Sequence, residues 1–530
     1  MKILCRLSRR GISFSDAHLA VITLALVLTL GLLSGCASVP TDYPRTESFA
    51  YTDTGDTRLG EQIRENFGSD LQQTGLYPLD FGMQAFVARM AAIAAAQRSV
   101  DLQYYIWRAD SSGKLLANQL LQAAERGVRV RLLLDDLDTQ GKDAGLLQLD
   151  THPNIEVRLF NAFGHRGSRA WGFASDLRRL NHRMHNKSLT VDNLVTIVGG
   201  RNIGNEYFDA SEDTAFTDLD VLAVGPLVAD VSNMFDLYWN SDMALPVAAF
   251  TGAHDLTGEA LLDAGARFKA TIDQELASPY IQAVYESRIL DELRLSRMTF
   301  LWGSAQLIYD DPRKMDYQEI TEATHMAPQL APLFANAEKE VVVVSPYFVP
   351  GDKLVKYFAG LEARGTRVRI LTNSLASSDV GMVHAGYMRY RKDLLRAGVD
   401  LYEFKPDPGT LSSNKKWMGS SSASLHTKFM SADGKLVYVG SFNLDPRSVA
   451  LNTEMGVLFE NPELDQRMLG AFNEVVVSRA YHVQLDAAGD LVWIEYEDGQ
   501  TLTYHEEPNT SAWQRFAARF LSWVVPERML

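Results

Sequence analysis

Cysteine is almost absent from this chain, since Cys5 and Cys36 are the only two among 530 residues. Both belong to an N-terminal segment that is expected to be processed, so the rest of the protein is predicted to lack disulfides and cysteine metal sites. Basic residues are also in the minority, with 51 Lys and Arg against 66 Asp and Glu, and the formal net charge is -15. Such an acidic balance argues against extensive nucleic-acid binding, which needs a basic surface.

A long apolar run lies near the N-terminus. Four basic side chains precede it within residues 2–10, residues 19–33 are almost wholly apolar, and Leu33, Ser34, Gly35 and Cys36 follow. The run is short for crossing a bilayer. This order is typical of a bacterial lipoprotein signal, in which Cys36 becomes the lipidated first residue; the alternative is an uncleaved membrane anchor. We therefore expect a lipid-anchored protein of the bacterial cell envelope, facing the periplasm, on the outer membrane rather than the inner.

The remainder of the chain repeats one pattern of predicted strands and helices. An apolar strand at residues 100–107 is followed by a helix that ends at Gly127 and by a second strand at 128–136. The same order recurs downstream with a strand at 340–350, a helix that ends at Gly365 and another strand. A repeat with a nearly constant offset predicts a duplicated α/β unit.

Two copies of the motif H-x-K-x4-D occupy corresponding positions in the two units. His185, Lys187 and Asp192 form the first copy, and a glycine and an asparagine follow Asp192 at distances that the second copy reproduces. The second copy and the trailing residues of both are His426, Lys428, Asp433, Gly199, Gly200, Asn202, Gly440, Ser441 and Asn443.

This spacing has a direct chemical interpretation. A histidine and a lysine two residues apart on a strand face the same side, which places an imidazole beside a positive charge. Charge spreads over the phosphoryl oxygens during phosphoryl transfer, and two lysines and two asparagines could hold those oxygens. One histidine can attack phosphorus while the other protonates the leaving alcohol. The sequence therefore predicts an enzyme of phosphodiester transfer with one composite site.

The paired motifs resemble those of the phospholipase D superfamily, from about residue 76 to the C-terminus. The resemblance implies an α/β fold of two repeats, each a mixed sheet flanked by helices, packed as a pseudo-twofold pair with the site at the seam. It implies no metal and no other cofactor. It also implies that His185 is the nucleophile and His426 the acid.

The resemblance further implies that an acidic residue after each motif orients the histidine of that motif. Glu454 is this residue in the second repeat. In the first repeat Asp218 matches by position, with Asp220 as the alternative. Asp192 and Asp433 complete the motifs as candidate catalytic residues, and a structural role is the alternative for both.

Four shorter runs resemble bacterial cardiolipin synthases, namely residues 181–187, 345–350, 384–387 and 440–448. This resemblance implies transfer of a phosphatidyl group to phosphatidylglycerol, with phosphatidylethanolamine as a possible donor. A phospholipase D-type hydrolase of phospholipids is the alternative, a nuclease is less favoured, and a non-catalytic envelope scaffold is a third hypothesis. Phospholipids and a membrane are the expected partners, and nucleic acid is not.

Three further features permit two interpretations each. Five arginines between residues 166 and 183 are either a landing patch for anionic headgroups or ordinary surface residues. His384 and Tyr387 either contact the acceptor headgroup or pack inside the fold. Residues 513–524 have apolar side chains at helical spacing, so they predict an amphipathic helix that either lies in a membrane interface or docks on the protein.

The predicted organisation comprises six segments. They are a signal peptide at 1–35, a tether at 36–75, the first repeat at 76–250, a helical inter-repeat segment at 251–330, the second repeat at 331–480, and a C-terminal extension with an amphipathic helix at 481–530.

Overall fold

The computed structural model describes residues 39–211, 215–253, 258–286, 289–316, 319–406, 423–497 and 499–526. The predicted signal peptide and Cys36 lie outside the described residues. Within the described ranges, no helix combines the length and the apolar content needed to cross a membrane.

The strands of the first half lie between residues 74 and 246. They are β1 (Thr74–Leu79), β2 (Ser99–Tyr104), β3 (Arg129–Asp135), β4 (Ile155–Phe160), β5 (Ser188–Val191), β6 (Val195–Gly199), β7 (Ala215–Thr217), β8 (Asp220–Val224) and β9 (Ala244–Pro246).

The strands of the second half lie between residues 301 and 504. They are β10 (Leu301–Tyr309), β11 (Glu340–Val344), β12 (Arg367–Asn373), β13 (Asp400–Phe404), β14 (Ala423–Leu425), β15 (Phe429–Ala432), β16 (Leu436–Gly440), β17 (Met455–Glu460), β18 (Ala480–Leu485), β19 (Leu491–Glu497) and β20 (Gln500–Tyr504).

The described helices lie mostly between these strands. They are α1 (Arg58–Phe67), α2 (Gly82–Ala95), α3 (Ser111–Glu125), α4 (Asp143–Asp150), α5 (Arg169–Ser175), α6 (Leu177–Leu180), α7 (Leu227–Trp239), α8 (Gly258–Leu276), α9 (Pro279–Glu286), α10 (Ile289–Glu292), α11 (Met326–Ala335), α12 (Gly351–Ala363), α13 (Gly381–Tyr387), α14 (Arg391–Arg396), α15 (Pro446–Ala450), α16 (Pro462–Ser478) and α17 (Ala512–Val524).

The strands build a continuous mixed sheet that is symmetric in its order. In the first half the order is β9-β4-β3-β2-β5-β6-β8-β1, and β2, β3 and β4 are parallel. In the second half it is β10-β17-β16-β15-β11-β12-β13-β18-β19-β20, and β11, β12 and β13 are parallel. Antiparallel pairing of β1 with β10 joins the halves. The predicted α/β fold of two repeats is confirmed.

The apolar core is shared between the halves. One cluster of buried side chains lies in the first half and another in the second, while a third spans the seam and includes Leu133, Trp239, Phe404 and Phe472. Removing a large apolar side chain from water contributes roughly 1.5–3 kcal/mol, so this seam holds the halves together as one folded unit.

The predicted tether differs from the structure over much of its length. Helix α1 inserts Leu59 and Ile63 into the core of the first half. Before it, the Ser48 amide donates to Asn240 Oδ1 at 3.1 Å and the Ala50 amide donates to Asp236 Oδ2 at 2.8 Å. A polar composition favours a tether, but here the backbone amides of Ser48 and Ala50 bond to side chains at the end of α7.

Two other predicted segments also contain strands that were not expected. The inter-repeat segment has the helices α8 to α10, but then β10 lies between β1 and β17 and links the two halves. The C-terminal extension begins with β18, β19 and β20, which prolong the second sheet, before the predicted helix α17. These strands gain their stability from distant partners, which a local sequence pattern does not contain.

Candidate active site

The two histidines meet at the seam, in a cavity of about 550 Å³. Both halves contribute to its wall, and Lys187 and Lys428 lie buried beneath the histidines that precede them. Residues that line the cavity include Tyr105, Arg108, His185, Asn202, Tyr207, Tyr347, Asp379, Val380, Val383, His426, Asn443, Asp445 and Arg447. The predicted composite site is therefore present at the predicted place.

Backbone hydrogen bonds between the halves fix both histidines. The amide of His185 donates to the carbonyl of Thr453 at 2.8 Å, and the amide of His426 donates to the carbonyl of Thr217 at 2.8 Å. Each threonine immediately precedes an acidic residue, Glu454 or Asp218. The pairing of β7 with β14 and a bridge between Met184 and Thr453 extend these contacts.

As a result, each imidazole is held by a carboxylate of the opposite half. His185 Nδ1 lies 2.8 Å from Glu454 Oε2, and His426 Nδ1 lies 2.5 Å from Asp218 Oδ2. The expectation that each acid orients the histidine of its own repeat was wrong in this respect. A carboxylate accepting the Nδ1 proton leaves Nε2 of each ring available for chemistry.

Asp218, and not Asp220, is the acid at His426. Asp220 is fully buried and bonds Arg89 Nη2 at 2.9 Å, with Arg201 Nη1 at 3.4 Å. The geometry thus separates two aspartates that sequence position left as alternatives.

The lysines lie within reach of their histidines on the buried side. Lys187 Nζ donates to the His185 carbonyl at 2.6 Å, and Lys428 Nζ donates to the His426 carbonyl. Burial lowers the pKa of Lys187 to about 7 and the pKa of Lys428 to about 8. The site can therefore supply positive charge to a phosphodiester near neutral pH, but it loses that charge at a lower pH than ordinary lysines would.

The histidines are neutral at pH 7 when the cavity holds no anion. Burial, followed by the charge of the neighbouring lysines, lowers the pKa of His185 well below its ordinary value and that of His426 to about 4. A phosphodiester anion between the rings favours the protonated form and raises the pKa again.

The two carboxylates differ in their protonation. Burial raises the pKa of Glu454 to about 7. For Asp218 burial acts in the same direction, but the interaction with His426, including its hydrogen bond, and the charge of Lys428 outweigh it and hold the pKa below its ordinary value. Asp218 is thus firmly ionised, whereas Glu454 is close to its midpoint at pH 7.

Corresponding positions of the two motifs place different groups beside the two carboxylates, and the serine hydroxyls at Glu454 only partly offset the effect of burial on its pKa. Ser441 Oγ donates to Glu454 Oε2 at 2.5 Å, and Ser448 Oγ donates to Oε1 at 2.8 Å. The counterpart of Ser441 is Gly200, where a Cβ atom would lie 2.2 Å from Asp218 Oδ1. The glycine leaves room for the close approach of the Asp218 carboxylate.

The two predicted asparagines have different surroundings. Asn202 accepts from the Ile106 amide at 3.2 Å and donates to the Tyr207 hydroxyl at 3.0 Å. Asn443 is 2% exposed, and its Oδ1 has no hydrogen-bond partner among the described residues. Asn443 is the one better placed to contact a ligand in the cavity.

Asp192 and Asp433 lie away from the chemistry. Asp192 accepts the backbone amides of Gln97, Arg98 and Ser99, and Asp433 accepts those of Glu338, Lys339 and Glu340. Neither lines the cavity. Their candidate catalytic role is corrected to the structural alternative, since Asp192 binds the chain that enters β2 and Asp433 binds the chain that enters β11.

The arginine patch is not a free cationic surface. Arg166 pairs with Asp136 and Asp143, Arg169 pairs with Asp136, Arg183 with Asp135 and Arg179 with Asp176. Arg178 is exposed. The landing-patch interpretation fails for four of the five arginines because acidic residues pair with them. The partners of Arg166, Arg169 and Arg183 are distant in sequence, whereas Asp176 is three positions from Arg179.

His384 and Tyr387 pack inside the second half. His384 is 3% exposed and contacts Arg391, while the Tyr387 hydroxyl donates to Glu403 at 3.0 Å. Neither lines the catalytic cavity, which favours the packed alternative.

Aromatic and charged side chains complete the wall of the cavity. The Tyr105 ring meets His185 edge-on at 4.9 Å, and the Tyr207 ring meets His426 at 5.3 Å. Tyr347 donates to Asp379 at 2.7 Å. Arg447 spans the seam to Asn181 at 2.8 Å. Tyr347 and Arg447 lie in the quoted runs 345–350 and 440–448, so a signal for them was present.

Within the described ranges, no group of three or more His, Cys, Asp or Glu side chains has the arrangement to hold a metal ion.

Comparison with known proteins agrees with the geometry. A family model described as "Cardiolipin synthase, PLD-like domain" matches residues 90–239 and 330–476. The chain is 41% identical to cardiolipin synthase C of Escherichia coli (strain K12) over 86% of this chain and 96% of that one. It is 33% identical to an uncharacterized protein of Helicobacter pylori (strain ATCC 700392 / 26695) over 95% and 99% of the two chains.

Among solved structures, phosphatidylserine synthase of Haemophilus influenzae Rd KW20 superposes with a TM-score of 0.55 at 14% identity. The match covers 89% of this chain and all of that one, and it supports the fold. Together with the two H-x-K motifs in one cavity, these matches show that the chain belongs to the phospholipase D-like cardiolipin synthase family.

Proposed function

We propose that this protein forms cardiolipin by transferring a phosphatidyl group to phosphatidylglycerol through a phosphohistidine. The observation that carries the proposal is the pair of imidazoles in one cavity, each held at Nδ1 by a carboxylate of the opposite half. The similarity to cardiolipin synthase C over most of both chains supports the choice of lipid substrates.

We assign the nucleophile to His185 and the acid to His426. An ionised Asp218 stabilises an imidazolium at His426, which suits the group that gives and takes the proton. Glu454 is shared between His185 and two serines, and burial raises its pKa to about 7. It therefore favours an imidazolium less, which suits a ring that must attack phosphorus as the neutral base.

The reaction then has two balanced steps. His185 Nε2 attacks phosphorus, the bond from phosphorus to the leaving alcohol breaks, and His426 gives that oxygen its proton. The acceptor hydroxyl next returns a proton to His426 and attacks phosphorus, which breaks the bond to His185. Lys187, Lys428 and Asn443 stabilise the charge on the phosphoryl oxygens.

One assay separates the transferase from a hydrolase. Vesicles of phosphatidylethanolamine and phosphatidylglycerol are incubated with the protein, and cardiolipin and phosphatidic acid are measured by mass spectrometry. We expect cardiolipin as the main product. Phosphatidic acid without cardiolipin would instead identify a hydrolase that resolves the intermediate with water. Vesicles of phosphatidylglycerol alone test whether that lipid also serves as the donor.

A trapping experiment tests the order of the histidines. With a phosphodiester that carries a good leaving group, His426→Ala should accumulate a covalent phosphohistidine, because attack no longer needs the acid but release does. His185→Ala should accumulate none. His182→Ala is the control, since its ring bonds the Arg178 carbonyl outside the cavity. Accumulation in His185→Ala alone would reverse the assignment.

We also propose that lipidated Cys36 anchors the protein at the periplasmic face of the envelope, on the outer rather than the inner membrane. The order of basic, apolar and small residues before Cys36, and Ala37 and Ser38 after it, support this location. Incorporation of labelled fatty acid should be lost in Cys36→Ser. Separation of the membranes on a density gradient then tests the location, and labelled protein in the inner-membrane fraction would contradict it.

A further inference from the structure

Helix α17 exposes four large aromatic side chains and buries one alanine. Trp513, Phe516 and Phe520 are 53%, 57% and 52% exposed, and Trp523 is 84% exposed. Ala518 is the residue that α17 buries. A helix that is stabilised by docking on a protein in water shows the opposite arrangement, with its large apolar residues inward.

The exposed rings form one continuous ridge. The Trp513 and Phe516 rings stack with centroids 5.4 Å apart, and the Phe516 and Phe520 rings stack at 6.4 Å. Aromatic side chains bury roughly 200 Å² each, so four that are at least half exposed leave on the order of 500 Å² of apolar surface. A contiguous patch of that size marks a site of interaction.

The ridge lies on a helix that packs beside the catalytic cavity. Helix α17 packs against α13, and Val383 of α13 and the preceding Val380 line that cavity. Arg389 Nη2 donates to the Val525 carbonyl at 2.6 Å. Met382 of α13 is itself 48% exposed and adds an apolar side chain to the same helix.

Contacts on both sides of its first residue hold α17 in place. Ser511 and Gln514 form a reciprocal capping box, which fixes where α17 begins. Just before it, Glu507 pairs with the buried Arg391 at 2.7 Å. The ridge is therefore held in a fixed orientation relative to α13 and the catalytic cavity.

We propose that α17 inserts this aromatic ridge into the surface of a phospholipid bilayer and so holds the cavity towards the lipids. Tryptophan and phenylalanine favour the membrane interface, and the exposed Arg519 borders the ridge, where it can reach a lipid phosphate. A stable dimer usually buries about 800 Å² on each partner, more than this ridge offers. The choice of lipid as the occupant also rests on the proposed phospholipid substrate.

Depth-sensitive quenching tests the docking without any turnover. The full chain is reconstituted with vesicles of phosphatidylethanolamine and phosphatidylglycerol whose acyl chains are brominated, and tryptophan fluorescence is compared with unbrominated vesicles. We expect quenching in the wild type, loss of most of it in the double variant Trp513→Phe with Trp523→Phe, and its retention in Trp171→Phe. Trp171 on α5 is the matched control, because it is 52% exposed.

Equal quenching in the wild type and the double variant would overturn the proposal. The ridge would then be covered by a second copy of the chain or by the apolar N-terminal run at 19–33. Light scattering of the two proteins in detergent distinguishes these cases, since a second copy doubles the molar mass.

A second arm connects docking with catalysis. Phe516→Ser with Phe520→Ser should lower the rate on vesicle substrate about tenfold and leave the rate on a short-chain phospholipid below its aggregation concentration unchanged. An equal loss on both substrates would show a merely structural role and overturn the proposal. Failure of the proposed function is recognised separately, because the wild type would then be inactive while quenching persisted.

Discussion

At the scale of single residues, the groups behind the two histidines differ although the motifs match. Glu454 is bonded by two serine hydroxyls, whereas Asp218 approaches the backbone of Gly200. The histidines and lysines were identified from the sequence because phosphodiester chemistry requires those residue types, and the acids were identified through the resemblance to the phospholipase D superfamily, with Asp220 as an alternative to Asp218. The crossing between halves was not, since spacing along one chain gives no distance between repeats.

The pKa values of the two lysines predict how kcat/KM falls on the alkaline side of its pH profile. In the free enzyme the pKa of Lys187 is about 7 and that of Lys428 about 8, so both lose their charge as pH rises through this range. The nucleophilic His185 becomes protonated only well below its ordinary pKa of 6.5. We expect kcat/KM on a soluble phosphodiester to fall from pH 7 to 9 and to have its acid limb below pH 6.5.

Lys187→Arg provides the matched variant for this profile, because Lys187 has the lower of the two pKa values and loses its charge first. A guanidinium stays charged throughout the range, so the alkaline limb should move upward whatever the absolute rate. A kcat/KM that stays constant from pH 7 to 9 in the wild type would contradict the role of these lysines.

Gly200→Ala should disable the site without unfolding the protein. The added Cβ would meet Asp218 Oδ1 at 2.2 Å, which forces the carboxylate away from His426. We expect kcat to fall about 100-fold, equivalent to about 2.7 kcal/mol of transition-state stabilisation. Gly145→Ala is the control, because nothing lies within 4 Å of its Cβ position. An active Gly200→Ala enzyme with an unchanged pH profile would argue that Asp218 does not position His426.

At the scale of elements, the repeated strand-helix-strand order was predicted because its apolar periodicity is local. Strand β10 was not, because its partners β1 and β17 lie far away in sequence. The interpretation of the arginines as a landing patch for lipid headgroups was wrong for the same reason. Arg183 and its partner Asp135 sit on different elements, and only folding brings them to 3.1 Å.

Asp192→Ala tests the third position of the motif at this scale. The variant leaves the amides of Gln97, Arg98 and Ser99 without their acceptor. Losing the acceptor of one buried amide and two part-buried amides should lower the free energy of unfolding by about 2–4 kcal/mol. We expect kcat to stay within about threefold of the wild type at temperatures where the variant is folded, so denaturant unfolding and kcat are measured together.

Asp433→Ala gives a graded comparison for that experiment. Its carboxylate serves the amides of Glu338, Lys339 and Glu340 but is more exposed than that of Asp192. We therefore expect a smaller loss, about 1 kcal/mol. A hundredfold loss of kcat with unchanged stability in either variant would instead indicate that the aspartate has a catalytic role.

At the scale of the whole molecule, neither half contains a complete site. His185 needs Glu454, His426 needs Asp218, and the core across the seam is apolar. Duplication was visible in the sequence, but the apolar contacts that join the copies are spread over many elements. The halves therefore depend on one another for the orientation of their catalytic groups as well as for burial.

Splitting the chain between residues 253 and 258 tests this dependence. Each fragment alone should be inactive, because each would lose the carboxylate that holds its histidine, and each would expose its side of the seam core to water. Co-expressed fragments should copurify and recover activity, since β1 can still pair with β10 and the histidines with their partners across the seam. The matched control is the co-expressed pair with Glu454→Gln in the second fragment, which should copurify but fall in kcat. Activity in one isolated fragment would contradict the composite site, unless light scattering showed that two copies of that fragment had assembled a seam of their own.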